Sequence, residues 1–309
     1  MDSWKNNRGL FAILTLPATL WLAAFFLVPL GFVWLISFGE KQGIVDIALT
    51  WTLDNYLRAL DPLYLGILFR SVWVAGIATL ICLVVGFPVA LAITFAPARW
   101  KPILLLLVIL PFWTNLLIRT YALIAVLRTR GFINFGLEWL WEKASAVIAF
   151  LGMDPTPILG ERFQAFDMLY NSGSVIFGLV YVHLPFMILP LYAALERLDK
   201  SYLEASLDLG AGQWRTLFSV TVPLTLPGIL SGVIITFIPA LGAFLTPDLL
   251  GGPDSQMIGN LIERQFKAAN DWPFGAALSF LLMYVTFFVL ALRAVGSSRQ
   301  ARIAAAEAG

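Results

Sequence analysis

Charge is scarce in this sequence. Only 13% of its 309 residues are Asp, Glu, Lys or Arg, about half the fraction typical of a soluble domain, whereas 60% are hydrophobic. One globular core could not hide that much apolar surface, so lipid must be the solvent for much of it. The composition therefore predicts an integral membrane protein.

Cysteine and histidine are almost absent, with one residue of each, Cys82 and His183. A single cysteine excludes an internal disulfide framework, and the sequence has no Cys/His cluster typical of a metal site. We expect Cys82 to pack as a small apolar residue. The net charge of +1 gives no reason to expect nucleic acid as a partner.

Six segments are apolar and long enough to cross about 30 Å of hydrocarbon as helices. They cover residues 10–38, 69–95, 102–127, 173–194, 222–246 and 272–293. Each contains proline, which membrane helices tolerate when neighbouring helices satisfy the freed backbone groups. The pattern predicts one all-α transmembrane domain over residues 1–309, in which six helices form a bundle.

The distribution of Lys and Arg predicts the orientation of this bundle. Six spans place both termini on one side, together with the short connecting segments 96–101 and 195–221. These segments hold Lys and Arg at a higher density than the long loops 39–68, 128–172 and 247–271. By the positive-inside rule, the short segments and both termini are predicted to be cytoplasmic.

The residues characteristic of several protein classes are missing from this sequence. No G-x-x-x-x-G-K-[ST] phosphate-binding motif occurs, so any ATP hydrolysis must take place on another polypeptide. No nucleophile–base–acid constellation of an enzyme is recognisable. The predicted spans contain almost no Asp or Glu, which disfavours a secondary transporter driven by protons or sodium ions. We therefore expect no enzymatic activity in this chain.

A polar loop at about 195–221 separates the fourth and fifth predicted spans. Ser201 stands three residues before Glu204, a capping-box spacing that predicts a short helix with Ser201 as its cap. Gly210 lies where a left-handed residue would end that helix. A second short helix is predicted near Gln213. Two turns of helix are not stable alone in water, so this loop either lies on the membrane surface or docks a cytoplasmic partner.

The spacing within this loop resembles the EAA motif of the permeases of bacterial ATP-binding-cassette importers, E-A-A-x3-G-x9-I-x-L-P. The matching positions are Glu204, Ala205, Ser206, Gly210, Val220, Val222 and Pro223. Ser206 replaces the second alanine, Val220 the isoleucine and Val222 the leucine. The resemblance implies the type I (MetI-like) permease fold and a coupling helix that docks on an ATPase. The residues it assigns to coupling are Ser201, Glu204, Ala205, Ser206, Asp208, Gly210 and Pro223.

The same resemblance implies several partners and a location. ATP and Mg²⁺ would be bound by separate ATPase subunits, with no cofactor in this chain. Six spans would form half of the pathway, so a second permease is implied, a paralogue in a heterodimer or a second copy. A periplasmic binding protein would deliver the substrate. The chain would lie in the bacterial inner membrane.

Two further stretches resemble the permeases of spermidine/putrescine importers, and of the two subunits they are more similar to the first. They are PFWTNLLIRTYALIAVLRTRGFIN (Pro111–Asn134) and GAFLTPDLLGGPDSQMIGNLIERQFKAANDWPFGAAL (Gly242–Leu278). With the EAA loop, the resemblance covers roughly residues 70–295. It implies a polyamine substrate. Another small solute, such as an amino-acid derivative or an organic anion, stays open because loops do not fix specificity.

A polyamine pathway needs aromatic faces, neutral oxygens or carboxylates. The candidates are Trp113, Thr114, Asn115, Tyr121, Tyr181, Asp248, Glu263 and Trp272. The alternative for each aromatic residue is anchoring at the lipid interface or packing in the bundle. The acids, with Asp271, would form a negative vestibule that attracts cations, and the alternative for each is an ordinary solvated loop charge.

Two residues in the predicted spans lack a defined role. Arg119 would repel an ammonium group, so we expect it to form an ion pair or to anchor at the interface rather than to contact a polyamine. If it does line the pathway, an anionic substrate is favoured. His183 is expected to pack with a hydrogen bond, and a pH-sensing role is the alternative.

Overall fold

A computed structural model describes residues 8–43, 46–154 and 156–307 of the chain. The α-helices in chain order are α1 (Arg8–Leu22), α2 (Val28–Ile36), α3 (Asp54–Ala59), α4 (Pro62–Phe95), α5 (Lys101–Ile109), α6 (Leu116–Leu127), α7 (Phe132–Phe150), α8 (Thr156–Leu159), α9 (Ser172–Glu196), α10 (Lys200–Asp208), α11 (Gln213–Thr216), α12 (Val222–Leu241), α13 (Leu245–Leu250), α14 (Ile258–Lys267) and α15 (Trp272–Glu307). A small hairpin pairs β1 (Glu40–Gln42) antiparallel with β2 (Asp46–Ala48).

Short turns of other helix types join some of these elements. π-helical turns occupy Ala23–Leu27 and Leu217–Thr221. 3-10 turns occupy Leu110–Trp113 and Pro253–Ser255. The π turns are continuous with their neighbours. Helices α1 and α2 therefore form one longer helix, and so do α11 and α12.

Four continuous helices in the described residues are long and apolar enough to cross a membrane. They are Phe11–Ile36, Pro62–Phe95, Ser172–Glu196 and Gln213–Leu241. A bent pair, Lys101–Trp113 with Leu116–Phe150, makes a fifth if it is counted as one span, and Trp272–Phe287 is a shorter apolar helix. Helix is thus observed at each of the six predicted segments, and the all-α class is confirmed apart from the hairpin.

The prediction of one uninterrupted span over residues 102–127 is wrong. The helix that begins at Lys101 ends at Trp113, and the chain then turns by 94° before helix resumes. Pro111 lacks the N–H of a helical residue, and Thr114 has an extended backbone with ψ 144°. Since Pro88, Pro185 and Pro190 lie inside continuous helices, proline alone does not explain the break, and the extended Thr114 marks the point where the helix ends.

A new helix starts directly after the bend and continues into a region predicted as a loop. Asn115 caps α6, because its side-chain oxygen accepts the N–H of Leu117 at 2.8 Å. Helix α7 then fills residues 132–150 of the predicted loop 128–172. Its apolar content is interrupted by charge, which hid its length in the sequence.

The fifth predicted span, residues 222–246, is displaced towards the N-terminus in the structure. The continuous helix runs from Gln213 to Leu241. A π turn widens it directly before Pro223, whose ring would otherwise crowd the carbonyl group four residues earlier. Pro223 therefore lies inside the helix rather than at its beginning.

The described residues divide into two compact units: those up to Gly66 together with those from Leu261 onwards, and those of Ile67–Asn260. In the first, α15 packs against α2 and α3. Buried Ser37 shares a hydrogen bond of 2.8 Å with the Tyr56 hydroxyl. The Trp34 indole donates to the hydroxyl of Tyr284 at 2.8 Å. These two hydrogen bonds connect the C-terminal part of α2 to α3 and to α15.

The second unit has its core between α4, α9 and α12. Its buried members are Cys82, Ala90, Ile93, Met187, Ile188, Leu191, Leu195 and Ile229. Cys82 is fully buried in this core, which confirms its packing role. A smaller cluster of Leu123, Leu127, Leu169 and Leu250 joins α6 to α13.

Helices α9 and α12 approach each other closely because glycine lies at the contact. A Cβ atom added to Gly228 would overlap the side chain of Ala194 and stand 3.2 Å from the carbonyl oxygen of Pro190. At Gly232 it would lie 2.8 Å from the sulfur of Met187. Small residues let the two backbones come together, as in other membrane helix pairs.

This contact predicts opposite effects of one substitution at two glycines. Gly228→Ala should destabilise the protein by about 1–3 kcal/mol, because Ala194 and the Pro190 carbonyl cannot move aside. Gly76→Ala is the control, since no atom lies within 4 Å of the new methyl group and alanine favours helix by up to about 1 kcal/mol. Thermal denaturation of the purified protein in detergent measures both. Equal melting temperatures for the two variants would contradict the packing.

Candidate functional site

The loop between α9 and α12 begins with a helix cap that differs from the predicted one. Asp199, not Ser201, is the N-cap of α10, with its carboxylate accepting the N–H of Ser201 at 3.0 Å. This hydrogen bond holds the pKa of the Asp199 carboxyl below its ordinary value. The predicted capping box of Ser201 and Glu204 is therefore wrong. A carboxylate at a helix N-terminus also interacts favourably with the helix dipole, which Ser201 could not match.

The end of α10 is closed in the way that the sequence predicts. Gly210 has a φ of +83°, in the left-handed region. Its N–H donates to the carbonyl of Leu207 at 2.9 Å, and the N–H of Ala211 donates to the carbonyl of Ser206 at 3.1 Å. These two bonds form a Schellman motif. The left-handed position predicted for Gly210 is confirmed.

A side-chain hydrogen bond ties the two short helices of the loop together. The hydroxyl of Ser206 on α10 lies 3.0 Å from the hydroxyl of Thr216 on α11. The start of α11 at Gln213 is also confirmed. Serine in place of the alanine of the EAA motif thus adds a cross-link that holds the loop as one body.

The loop presents apolar side chains to its surroundings. Leu209 is 89% exposed and Trp214 is 75% exposed. The ring of Trp214 stacks on Phe218 with centroids 6.3 Å apart. Glu204, Ala205 and Asp208 are exposed as well. We call Tyr202, Glu204, Ala205, Asp208, Leu209 and Trp214 the exposed loop surface.

Helix α10 stands between two open cavities. A cavity of about 620 Å³ separates it from the end of α4, and Leu203, Leu207 and Trp214 contribute to its lining. A second cavity of about 570 Å³ lies between α9 and α12, with Tyr202 at its edge. Helix α10 is thus flanked by open space on two sides within its unit.

A salt bridge lies beside this loop. The ammonium group of Lys101, the first residue of α5, is 2.7 Å from the carboxylate of Glu196, the last residue of α9. It fixes the relative depth of the two helices at this end.

Three predicted pathway residues meet at the bend after α5. Trp113 is 75% exposed and ends the 3-10 turn. The Thr114 hydroxyl donates to the carbonyl of Pro111 at 2.8 Å, and Asn115 caps α6. The Asn115 oxygen already accepts a backbone N–H, whereas the Thr114 oxygen can still accept a hydrogen bond and the ring of Trp113 is exposed.

The other candidates of the second unit lie on three different helices. Tyr121 on α6 is 57% exposed and Tyr181 on α9 is 38% exposed. Asp248 is an exposed residue in the first turn of α13. The three helices that carry them contact one another.

In the first unit, the acids predicted to form a vestibule have partners. Glu263 pairs with Lys267 one turn later at 2.8 Å. Asp271 pairs with Arg58 at 2.8 Å and also accepts the N–H of Phe274. The indole of Trp272 donates to Asn270 at 3.1 Å. Asp271 therefore serves as a structural tie, which corrects its assignment as a free attracting charge.

Sequence reasoning missed a cluster of cationic and aromatic groups around Arg119. Its guanidinium carbon lies 5.8 Å from the centre of the Phe112 ring, and Phe112 packs edge-on against Phe186 at 4.8 Å. His183 lies 6.0 Å from Phe186 and donates from Nδ1 to the Leu179 carbonyl at 2.9 Å. The packing role predicted for His183 is confirmed.

The fold and the loop together define a permease-like membrane protein. Long apolar helices surround a glycine-mediated contact, and a closed polar loop interrupts them between α9 and α12. A model of the family described as "Binding-protein-dependent transport system inner membrane component" matches residues 9–301. The chain belongs to this family.

Curated relatives cover nearly the whole chain. The spermidine/putrescine transport system permease protein PotB of Salmonella typhimurium (strain SL1344) is 41% identical over 286 residues, which is 93% of each chain. PotB of Escherichia coli (strain K12) is 42% identical over 270 residues, covering 87% of this chain and 91% of its own. The inner membrane ABC transporter permease protein YdcU of the same strain is 30% identical over 298 residues, covering 95% and 92%.

Solved structures support the same fold. A chain of a bacterial alginate ABC transporter, crystallised with an alginate-bound periplasmic protein, aligns with a TM-score of 0.68 and 16% identity, over 94% of this chain and 96% of that one. A chain of the MetNI methionine ABC transporter aligns with a TM-score of 0.50 and 14% identity, over 74% and 91%. At these identities the likeness concerns the fold alone, and it confirms the predicted type I permease fold.

The cap of α10 yields a prediction about the order of the loop. Asp199→Ala should loosen α10, whereas Asp199→Asn should preserve it, because asparagine caps helices as well as aspartate does. Since the folded-state pKa of Asp199 is lowered, its ionised form stabilises the cap above the ordinary pKa of aspartate and loses this effect as the pH falls through the lowered value.

Hydrogen–deuterium exchange of the loop amides at neutral pH measures this order. Faster exchange in residues 200–209 of Asp199→Ala, with Asp199→Asn unchanged, is the expected result. Equal exchange in both variants would show that Asp199 is not the cap that holds α10.

Proposed function

We propose that this chain is the transmembrane permease subunit of an ATP-driven importer that carries a polyamine, such as spermidine or putrescine, across the bacterial inner membrane. The observation that carries the proposal is the 41% identity to a PotB permease over 93% of both chains. The loop between α9 and α12 is the proposed element that transmits the motion of the ATPase to the membrane helices.

The loop is suited to receive force from a docked ATPase. Its two ends continue into α9 and α12, and those helices are packed through Gly228 and Gly232. The Schellman motif at Gly210 and the bond between Ser206 and Thr216 make the loop a small rigid body. A partner that holds the exposed loop surface and moves would therefore rotate both helices, which is a rigid-body switch between two states.

We further propose six crossings with both termini in the cytoplasm. In this topology the bent pair counts as the third span and Trp272–Phe287 as part of the sixth. The loop of α10 and α11 then faces the cytoplasm, where ATP is available. Lys101, Arg197, Lys200 and Arg215 lie on the same side, as the positive-inside rule requires.

The proposed assembly has three kinds of partner. ATPase subunits bind ATP and Mg²⁺ and dock on the exposed loop surface. A second permease, a paralogue in a heterodimer, completes the pathway. A periplasmic binding protein delivers the substrate. Glu204, Ala205 and Asp208 contribute to docking through their exposure, and Ser206, Gly210 and Pro223 contribute through loop geometry.

The exposed aromatic rings of this chain are better candidates for contacts with a polyamine than Glu263 and Asp271. Trp113 and Tyr121 expose ring faces that attract ammonium groups without requiring a buried anion. Glu263 and Asp271 already pair with cations. We therefore place the substrate contacts on aromatic faces and neutral oxygens, and not on these two carboxylates.

The coupling role of Gly210 is testable with a matched glycine. Gly210→Val should leave the protein inserted but reduce substrate uptake about tenfold or more while ATP hydrolysis continues, because valine is strained at a φ of +83°. Gly212→Val is the control, since Gly212 has an ordinary φ of −71° and no atom within 4 Å of an added Cβ.

Uptake by proteoliposomes that contain the whole importer, with phosphate release measured in parallel, reports the coupling. Unimpaired uptake by Gly210→Val would remove the coupling proposal. Equal loss in both variants would assign the effect to bulk in the loop and not to the left-handed turn.

The substrate class is testable through the cognate periplasmic binding protein. Calorimetric titration with spermidine, putrescine, amino acids and organic anions should give the tightest binding with a polyamine. A preference for anions or amino acids would overturn the polyamine proposal and leave the family and the coupling loop unaffected.

The energy source is tested separately. Uptake that persists with a Walker-lysine mutation in the ATPase would indicate an ion-driven transporter.

A further inference from the structure

The guanidinium group of Arg119 is only partly satisfied within the described part of the chain. Two of its three nitrogens, Nε and Nη1, are buried and unpartnered. The face of Phe112 at 5.8 Å offers a weak cation–π contact but no acceptor atom. A buried charged donor without an acceptor is costly, so this group calls for a partner outside the chain.

Several other polar groups in the apolar helices form hydrogen bonds within their own unit. The hydroxyls of Thr79, Thr94 and Thr120 each donate to the carbonyl four residues earlier at 2.7–2.9 Å. Arg70 donates to the backbone carbonyl of Asp254. Nε and Nη1 of Arg119 have no such local acceptor in the described part of the chain.

The position of Arg119 along the spans excludes a lipid headgroup as its acceptor. His183 lies eleven residues from the start of α9 and thirteen from its end, or about 17 and 20 Å at 1.5 Å per residue. The guanidinium carbon of Arg119 lies 5.8 Å from the centre of the Phe112 ring, and Phe112 packs on Phe186, three residues after His183 on α9. The guanidinium group therefore stands beside the middle of α9, away from the helix ends where lipid phosphates would lie.

The substrate cannot supply the acceptor if it is a polyamine, because ammonium groups donate hydrogen bonds and repel a guanidinium. This step rests on the proposed function. The remaining neighbour at this depth is the second permease subunit. A guanidinium prefers a carboxylate, which matches its paired donors and neutralises its charge.

We propose that Arg119 forms an intramembrane ion pair with an Asp or Glu side chain of the second permease subunit. The surface around Arg119, Phe112 and Phe186 is then part of the contact between the two permeases. Because a buried charge without its partner is strongly unfavourable, the pair also makes each permease depend on the other for stability.

The test uses the complete importer with an affinity tag on this chain. Arg119→Gln should reduce the amount of the second permease that co-purifies by about tenfold or more, because the variant leaves its carboxylate unpaired in the membrane. Arg119→Lys should retain most of it. Arg70→Gln is the control, since Arg70 has its acceptor within the chain and should leave the co-purified amount unchanged.

Charge rescue then identifies the partner. The Asp and Glu residues in the spans of the second permease are replaced one at a time by Asn or Gln in the Arg119→Gln background. Recovery of co-purification with one of these replacements supports the ion pair. Wild-type assembly of Arg119→Gln, loss of assembly in Arg70→Gln as well, or absence of any rescuing replacement each overturns it.

Failure of this proposal is distinct from failure of the proposed substrate. If the binding protein prefers anions and Arg119→Gln assembles normally but loses uptake, then Arg119 contacts the substrate and the ion pair is overturned. If the binding protein prefers anions but charge rescue succeeds, the ion pair stands and only the polyamine assignment falls.

Discussion

The close contact of α9 with α12 is the constraint on which the rest of the structure depends. Gly228 and Gly232 allow the two backbones to approach until Ala194 and Met187 fill the space that larger residues would need. These helices also hold the two ends of the polar loop. Any force on the loop therefore acts on a pair of helices that cannot slide apart without losing their packing. A loosely packed pair would absorb the same displacement without transmitting it.

The loop is ordered by hydrogen bonds within it, while its outer side is exposed. Asp199 caps its first helix, Gly210 ends it, and Ser206 ties it to Thr216. Outside these contacts, α10 faces two cavities and exposes Leu209. A segment that is rigid in itself but weakly attached to its own unit is suited to follow a partner. In contrast, the acids of the other unit are held by Arg58 and Lys267, so they contribute to rigidity there.

Most polar groups of the described spans are satisfied within the chain, whereas one charged group is left without acceptors for two of its nitrogens. Threonine hydroxyls and His183 donate hydrogen bonds to carbonyl groups of their own helices, and Lys101 forms a salt bridge with Glu196. Arg119 alone among the charged side chains of the described spans has buried nitrogens without acceptors. In a membrane, where water cannot substitute, such a group marks a surface that assembly must complete. In the proposed ion pair, the second permease supplies the missing acceptor.

The sequence by itself determined those features that depend on neighbours along the chain. Apolar runs located the helices, the spacing from Glu204 to Pro223 identified the family, and the position of Gly210 predicted its left-handed turn. The choice of Asp199 over Ser201 as the cap was decided by backbone geometry, because both residue types can cap a helix. Only the tertiary structure decided the bend after Trp113, the pairing of Asp271 with Arg58 and the isolation of Arg119. The physical reason is that local propensity reads a few residues at a time, whereas bends, ion pairs and missing acceptors depend on groups far apart in sequence.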